Sequence, residues 1–532
     1  MTETTPGLVR DAARRFGERE ALVDGDVRLT YAQLAEQVEL VARGLIARGV
    51  EAGDRVCVWA PNTRHWVIAA LALQSAGAAL VPLNTRFLGA EALDVLARTR
   101  SRVLFAPDAF LGRDPVALLR DAADGDLASA LPALETIVRI PLEGPLGAPG
   151  DGEIGWEELI AGAERVPAEV ARERADAVRP DDVADILFTS GTTGRPKGAM
   201  SSHRQTLSVA DAWAAHGKVT AADRYLVISP FFHSFGYKAG FVVCFLHGAC
   251  VVPALTFDVD ATLAAIERER ITIVPGPPTI FQTLLAHPRR DEHELSSLRL
   301  AVTGSAMVPV ALVERMRDEL TFDAVLTAYG LTEAVVATMC DVDDAPETIS
   351  RTAGVATAGF ELRIADAEGR PLPPGEDGEI QLRGPNTMLG YLDDPAATAA
   401  AIDPDGWLRT GDVGHLDERG YLTITDRLKD MFTVGGFNVY PAEIENELAR
   451  LEEVVAGAVV GVPDERLGEV GAAYLIAKPG HHLTEEGVIA HCRARLANYK
   501  VPRRVVFVDE LPRNAAGKVL KHELRRRALA AG

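Results

Sequence analysis

The segment from Phe188 to Gly198 reads FTSGTTGRPKG and follows an apolar run. Thr189, Ser190, Gly191, Thr192, Thr193 and Gly194 crowd backbone N–H groups and hydroxyls together, and Lys197 adds a point charge. Such a stretch is equipped to cradle an anion, above all a phosphate. It is not a Walker A loop, because Pro196 stands five residues after Gly191, where that loop needs its second glycine. A second segment, PFFHSFGYKAG (230–240), is apolar, aromatic and punctuated by glycine. Lys238 inside it is costly unless its ammonium reaches water or an acceptor. A third, PRNAAGKV, sets Lys518 in a loop beside the flexible Gly517. From Arg493 to Gly532 eleven Lys and Arg oppose three Asp and Glu. That basic end is either a solvated helix terminus or a landing surface for a polyanion.

These groups need a scaffold to hold them. Short apolar runs alternate with helical patterns over most of the chain. ARRFGEREALVDGDVRLTYAQLAEQVELVARGLIARGV reads as helix, hairpin, helix, with Leu34, Val38, Val41, Ala42 and Leu45 on one face. DRVCVWAPN is strand-like, WVIAALALQSAG a buried helix and ALVPLN a strand. This is the βαβ rhythm of a parallel sheet covered by helices. It returns around DILFTS, RITIVPGPPTIFQTLLAH and LRLAVTGSAMVPVALVERMRDEL. Residues 106–180, rich in Ala, Asp, Pro and Gly, read as a variable connecting region. From about residue 353 short β-runs with tight turns predict a β-rich subdomain. The expected class is α/β, with a large N-terminal domain of stacked βα layers plus that subdomain, and a small mobile α+β C-terminal domain.

Composition narrows the function. The 532 residues are 47% hydrophobic and 25% charged, ordinary for a globular protein of three or four domain-lengths. The net charge of −21 repels phosphate backbones and anionic lipid, which argues against nucleic-acid or membrane-surface partners. Five scattered cysteines without a CxxC predict buried free thiols in a reducing compartment. No apolar leader opens the chain, and the apolar stretches 66–83 and 240–257 are broken by polar residues, Gly and Pro. A cytoplasmic protein with no integral membrane association is expected.

The full string TSGTTGRPKG resembles the phosphate-binding signature of the adenylate-forming superfamily, which contains acyl-CoA synthetases, peptide-synthetase adenylation domains and beetle luciferases. PFFHSFG, VTGSAMVP, TAYGLTE, WLRTGD, DRLKDMFTVGGFNVYPAEIE and PRNAAGKVLK follow in the family's order, so the resemblance spans nearly the whole chain. It implies two half-reactions. A carboxylate attacks the α-phosphorus of ATP, giving an acyl adenylate and pyrophosphate; a thiol, here that of coenzyme A, then displaces AMP. The implied domains are 1–426 for adenylation, a hinge at 427–430 and a mobile 431–532 carrying the catalytic lysine.

By the same resemblance, Thr189 to Gly194 and Lys197 meet the β- and γ-phosphates, Glu333 holds Mg²⁺ and Thr332 contacts the α-phosphate. Tyr329 stacks on adenine against Gly304, Ser305 and Ala306, with Thr327, Ala328 and Gly330 completing that site. Thr327 stands where Asn is often found. Asp412 accepts from the ribose hydroxyls and Arg427 holds ribose or phosphate. Lys518 bridges the substrate carboxylate and the α-phosphate. Lys429 is the hinge, and Gly435 and Gly436 line the tunnel for CoA, whose phosphates meet the basic C-terminal region. His233 gates the acyl pocket, with Phe235, Gly236, Tyr237, Lys238, Val335 and Val336 near the acyl chain. Tyr237 and Lys238 are read either as donors to a substrate carbonyl or, for the lysine, as snorkelling. FFHSFGYKAG and VLTAYGLTEA are most similar to actinobacterial acyl-CoA ligases of steroid catabolism. They imply as substrate the propanoate side chain of a methyl-hexahydroindanedione, with medium-chain fatty or aryl acids, or loading of a carrier protein, as alternatives. A monomer or homodimer is expected.

Overall fold

The computed structural model describes residues 2–142, 149–189, 196–304, 308, 310–427, 430–434, 437–464, 466–480, 483–496, 498–513 and 519–530. Of Asp426, Arg427, Thr433, Phe437, Asn438 and Ala530 only the backbone is described. The chain divides into two compact units, one of Met1–Glu361 with Leu382–Leu408, the other of Leu362–Gln381 with Arg409–Gly532.

The first unit is built on two sheets. In one, the strands Ala324–Tyr329, Leu300–Gly304, Ile273–Pro275, Arg224–Val227, Cys250–Pro253 and Glu20–Asp24 run parallel in that order, with antiparallel strands added at both edges. In the other, Val183–Thr189, Ala79–Pro82, Arg55–Val58, Val103–Pro107, Thr136–Ile140 and Glu153–Gly155 are parallel. Lys197–Ser202 and then Gly390–Tyr391 extend that sheet antiparallel. The expected helix, hairpin, helix is present as Thr5–Phe16, the paired strands Glu20–Asp24 and Val27–Thr30, and Tyr31–Ala47. Thr30 and Gln33 form a reciprocal capping box that starts the second helix.

A single hydrophobic core joins the facing sides of the two sheets. Leu22, Tyr225 and Leu300 of one sheet and Val56, Leu80 and Phe105 of the other belong to it. Between them runs the helix Arg64–Ser75, buried on every side, which explains why it is apolar all round. The same helix disposes of the 66–83 stretch as a membrane span, and no described helix is long and apolar enough to cross a membrane.

Residues 106–180 depart from the sequence expectation. They are not a mere connector: Thr136–Ile140, buried at every position, and Glu153–Gly155 complete one edge of the second sheet. These strands are short and sit among Asp-, Pro- and Gly-rich turns, which dilutes their signal in any composition window. All five cysteines are free and buried, as expected, with burial pushing the Cys57 thiol up to about 12.

In the second unit the run of β-hairpins is present. Glu361–Ala365, Gly378–Arg383, Leu408–Leu416 and Leu422–Arg427 make a four-stranded sheet. A further sheet pairs the long strands Val454–Asp464 and Gly468–Ala477; along the other edge of Gly468–Ala477 lie Phe432–Val434, itself paired with Phe437–Val439, and the parallel strand Arg504–Phe507. Helices Pro441–Leu448, Glu485–Arg493 and Lys521–Ala530 complete this α+β unit.

Two buried histidines make the fold sensitive to acid. His203, 2% exposed, accepts the Thr5 N–H at Nδ1 (3.3 Å), which requires that nitrogen to be unprotonated. Burial lowers its pKa to about 4 and that of His65 to about 3. Unfolded histidine takes up its proton near pH 6.5. The stability from neutral His203 is therefore complete above that pH and erodes, by about 1 kcal/mol per pH unit, as pH falls toward 4. Urea midpoints between pH 7 and 4.5 should fall less steeply for His203→Gln than for the parent chain; parallel slopes would contradict the assignment.

Candidate active site

Two features of the first unit bring the predicted residues together. The first is the hairpin formed by Val183–Thr189 and Lys197–Ser202, whose last paired positions are Thr189 and Lys197. The Thr189 hydroxyl donates to the Lys197 carbonyl (3.4 Å) across its mouth. The chain between them contains Ser190, Gly191, Thr192, Thr193 and Gly194, which lie outside the described residues. Arg98 braces the hairpin, donating to the Pro196 carbonyl at 2.6 Å and lying 5.0 Å over the Phe188 ring.

The second is the carboxyl edge of the parallel strands Leu300–Gly304 and Ala324–Tyr329, in register at Gly304 and Ala328. Crevices beyond the carboxyl ends of parallel strands are where open α/β sheets bind ligands. Gly304 ends one strand and Tyr329, 8% exposed, ends the other. Ser305 and Ala306 lie outside the described residues. After Tyr329 the chain turns sharply through Gly330, where a Cβ would stand 1.7 Å from the Val335 carbonyl oxygen, so no larger residue fits this turn. The turn presents Thr332 and Glu333, both half-buried.

Glu333 and Lys197 meet through a residue that the sequence did not flag. The Tyr391 hydroxyl donates to Glu333 Oε1 at 2.8 Å, and Lys197 Nζ lies 5.0 Å from the centre of the Tyr391 ring. Burial and the adjacent carboxylate both push the Tyr391 phenol up, so it stays protonated and donates. The neighbouring backbone stitches the same parts together. Met388 N–H donates to the Glu333 carbonyl (2.7 Å), Leu389 to Met200 (2.8 Å) and Leu392 to Gly198 (2.8 Å). No strand pattern could reveal Gly390–Tyr391, which is two residues long and pairs with a strand almost 200 positions earlier.

Other expected positions turn out differently. The Thr327 hydroxyl donates to the Ile349 and Thr352 carbonyls at 3.0 and 2.8 Å, anchoring the helix Pro346–Arg351 and its exit. Lys238 does not snorkel to solvent. It is 1% exposed and pairs at 2.9 Å with Asp185, which is fully buried and also accepts the Thr206 hydroxyl (3.0 Å). Burial drives the Asp185 carboxyl up and the Lys238 ammonium down, each opposed by the other's charge. Tyr237, 0% exposed, receives the Gln74 amide N–H at 2.9 Å inside the same core. Val336 too belongs to the main core, with Val335 packed against it.

Of the acyl-pocket group, His233 is exposed and its Nδ1 accepts the Phe235 N–H at 3.2 Å, capping the short turn Ser234–Gly236. Phe235 stands edge-on to Trp213 at 5.3 Å. Gly236 packs so closely that a Cβ would lie 2.3 Å from the Ser229 and Pro230 carbonyl oxygens.

In the second unit Asp412 is 5% exposed and sits opposite Arg427 in the antiparallel pair Leu408–Leu416 and Leu422–Arg427. Thr410 fixes the turn into it, donating its hydroxyl to Ile380 (2.7 Å) and accepting the Asp412 N–H (3.1 Å). Gly435 and Gly436 separate the paired strands Phe432–Val434 and Phe437–Val439, and Lys518 falls between the bridged residues Arg513 and Val519. Lys518, Lys429 and the two glycines lie outside the described residues.

A Gly/Thr-rich hairpin, a carboxylate held beside it and an aromatic at the carboxyl edge of a parallel sheet make up the candidate nucleotide site. Residues 9–392 match the model of the AMP-binding enzymes, and residues 443–518 match that family's C-terminal domain. The chain belongs to the AMP-binding enzyme family. Within it the chain is similar to a 3-[(3aS,4S,7aS)-7a-methyl-1,5-dioxo-octahydro-1H-inden-4-yl]propanoyl:CoA ligase of Rhodococcus jostii, with 56% identity over 99% of both chains. A ligase of the same name from Mycobacterium tuberculosis is also 56% identical, over 98% of both chains. Among solved structures, ATP-bound MatB from Rhodopseudomonas palustris superposes with a TM-score of 0.85 at 30% identity, covering 99% of each chain. The chain is thus an AMP-forming acid–thiol ligase that uses ATP and CoA, and its α/β fold with a small α+β C-terminal domain is that of its family.

Proposed function

We propose that the acid activated by this ligase is the propanoate side chain of a methylated hexahydroindanedione, the bicyclic remnant of steroid rings C and D. One observation carries the reading: the 56% identity, over nearly the full length, to a ligase whose name specifies that acid.

In the proposed reaction a carboxylate oxygen attacks the α-phosphorus and the bond to pyrophosphate breaks. The CoA sulfur then attacks the acyl carbon of the mixed anhydride, AMP leaves with the bonding pair, and the thiol proton passes to solvent. The protein's task in the first half is alignment and charge neutralisation. The hairpin from Thr189 to Lys197 receives the β- and γ-phosphates, Thr332 the α-phosphate, Tyr329 with Gly304 the adenine, and Asp412 with Arg427 the ribose. Lys518 brings positive charge to the oxygens that share the developing negative charge. His233 and Phe235 border the acyl chain, whereas Tyr237 and Lys238 support this region from the core.

Glu333 suits Mg²⁺, because a hard cation needs oxygen donors and usually takes one or two carboxylates together with substrate phosphates. When bound there, the ion would neutralise phosphate charge. Domains at 1–426 and 431–532 around a hinge at 427–430, with Gly435 and Gly436 lining the CoA path in the second half-reaction, complete the scheme. The site of action is proposed to be the cytoplasm.

The test is ATP- and CoA-dependent pyrophosphate release across a panel of acids. The bicyclic propanoate should exceed octanoate and simple aryl acids by about 10-fold or more in kcat/KM. Faster turnover of octanoate, or transfer to a holo carrier protein in preference to CoA, would overturn the proposal.

A further inference from the structure

The chain from Met388 to Leu392 connects the phosphate hairpin with the turn that carries Glu333. Its backbone N–H groups donate on one side to Glu333 and on the other to Met200 and Gly198, so both partners are held by one short stretch. Tyr391 is the side chain that this stretch delivers between them. Its hydroxyl donates to the Glu333 carboxylate and its ring face lies under the Lys197 ammonium.

An ammonium and a carboxylate that share one neighbouring side chain attract each other and can form an ion pair. Among the described residues none joins Lys197 to Glu333. A tyrosine can separate them while satisfying both. Its O–H is a donor that suits the anion, and its π face, with the ring's negative quadrupole, suits the cation. The backbone that carries the ring is held on its far side as well. The Tyr391 N–H donates to Thr398 Oγ1 at 2.9 Å. The preceding Gly390 has φ +143°, and a Cβ there would stand 2.9 Å from the Thr398 side chain.

We propose that Tyr391 is a positioning residue for nucleotide binding. By standing between Lys197 and Glu333 it keeps the two charges apart and correctly aimed, one for phosphate oxygens and one for the cation that accompanies them. The proposal rests on the reading that these two residues serve the triphosphate, and it does not depend on which acid is activated.

Two variants separate the two contacts. Tyr391→Phe keeps the ring and loses the hydroxyl; Tyr391→Leu loses both. The measurements are calorimetric binding of ATP with Mg²⁺ to the acid-free enzyme, the Mg²⁺ concentration at half-maximal rate, and the KM of the acid. Tyr391→Phe should weaken nucleotide binding and raise the Mg²⁺ requirement by about 10-fold, the worth of a hydrogen bond to a charged group. The KM of the acid and the melting temperature should stay near the parent values. Tyr391→Leu should weaken binding by a further several-fold. Parent-like nucleotide binding in Tyr391→Phe, or equal increases in the KM of ATP and of the acid together with a lowered melting temperature, would overturn the proposal. Binding is read without turnover, so a wrong acid assignment would leave this result intact. A parent enzyme whose nucleotide affinity is indifferent to Lys197→Ala and Glu333→Ala would instead remove the reading beneath it.

Discussion

Replacing Lys518 with alanine is expected to slow formation of the acyl adenylate by about 100- to 1,000-fold, the effect of deleting one donor that meets charge developing in a transition state. Thioester formation from acyl adenylate supplied ready-made should stay within several-fold of the parent. The asymmetry follows from the chemistry. The first half concentrates negative charge on the carboxylate and α-phosphate oxygens as they share one phosphorus. The second half expels AMP, already a good leaving group, and needs the thiol delivered more than it needs that ammonium. Pyrophosphate release and CoA-dependent consumption of synthetic adenylate, measured separately on one preparation, distinguish the two halves. Equal loss in both would show that Lys518 acts on folding or on nucleotide affinity rather than on the charge of the first step.

The largest stability effect is expected at Lys238. Lys238→Met removes the ammonium 2.9 Å from Asp185 and leaves a carboxylate in a site with no solvent. Breaking a buried pair on one side destabilises by about 3–5 kcal/mol, whereas replacing both partners with neutral groups of similar size is often tolerated. Denaturant titration should therefore show a large loss for Lys238→Met and recovery of most of it in Asp185→Asn/Lys238→Met. Acid should partly relieve the single variant. With its cation gone, Asp185 binds its proton more tightly folded than unfolded, so the stability conferred by that proton is present below the unfolded pKa near 4 and is lost as pH rises. A single variant within 1 kcal/mol of the parent at neutral pH would mean that the pair is already neutral in the native protein.

Lys238 also marks where the sequence stops being legible. A lysine in an aromatic run announces that something must compensate it, but Asp185 lies 53 positions earlier in DILFTS, where it resembles any polar residue beside an apolar strand. Pairing across elements has no local signature. The same limit hid Tyr391, whose partners Glu333 and Lys197 both stand in legible motifs, and the bond of the Thr327 hydroxyl to a helix 22 residues later. What could be read was what is local and periodic. The βαβ alternation, the buried helix Arg64–Ser75, the β-rich change after residue 353 and the Gly/Thr-rich strand connection all depend on neighbours within about 15 residues. Residues 106–180 read as a connector because their strands are brief and contribute few apolar positions to any window.

The two-residue strand Gly390–Tyr391 has a consequence for how the molecule comes into being. It is the last piece of the second sheet, yet it emerges from the ribosome long after the other seven strands of that sheet. A nascent chain that has reached residue 380 already contains Lys197 and Glu333 but not Tyr391. On the proposal above, a chain truncated near residue 380 should therefore hold ATP more weakly than the full chain, because the side chain that parts Lys197 from Glu333 is the last of the three to be made.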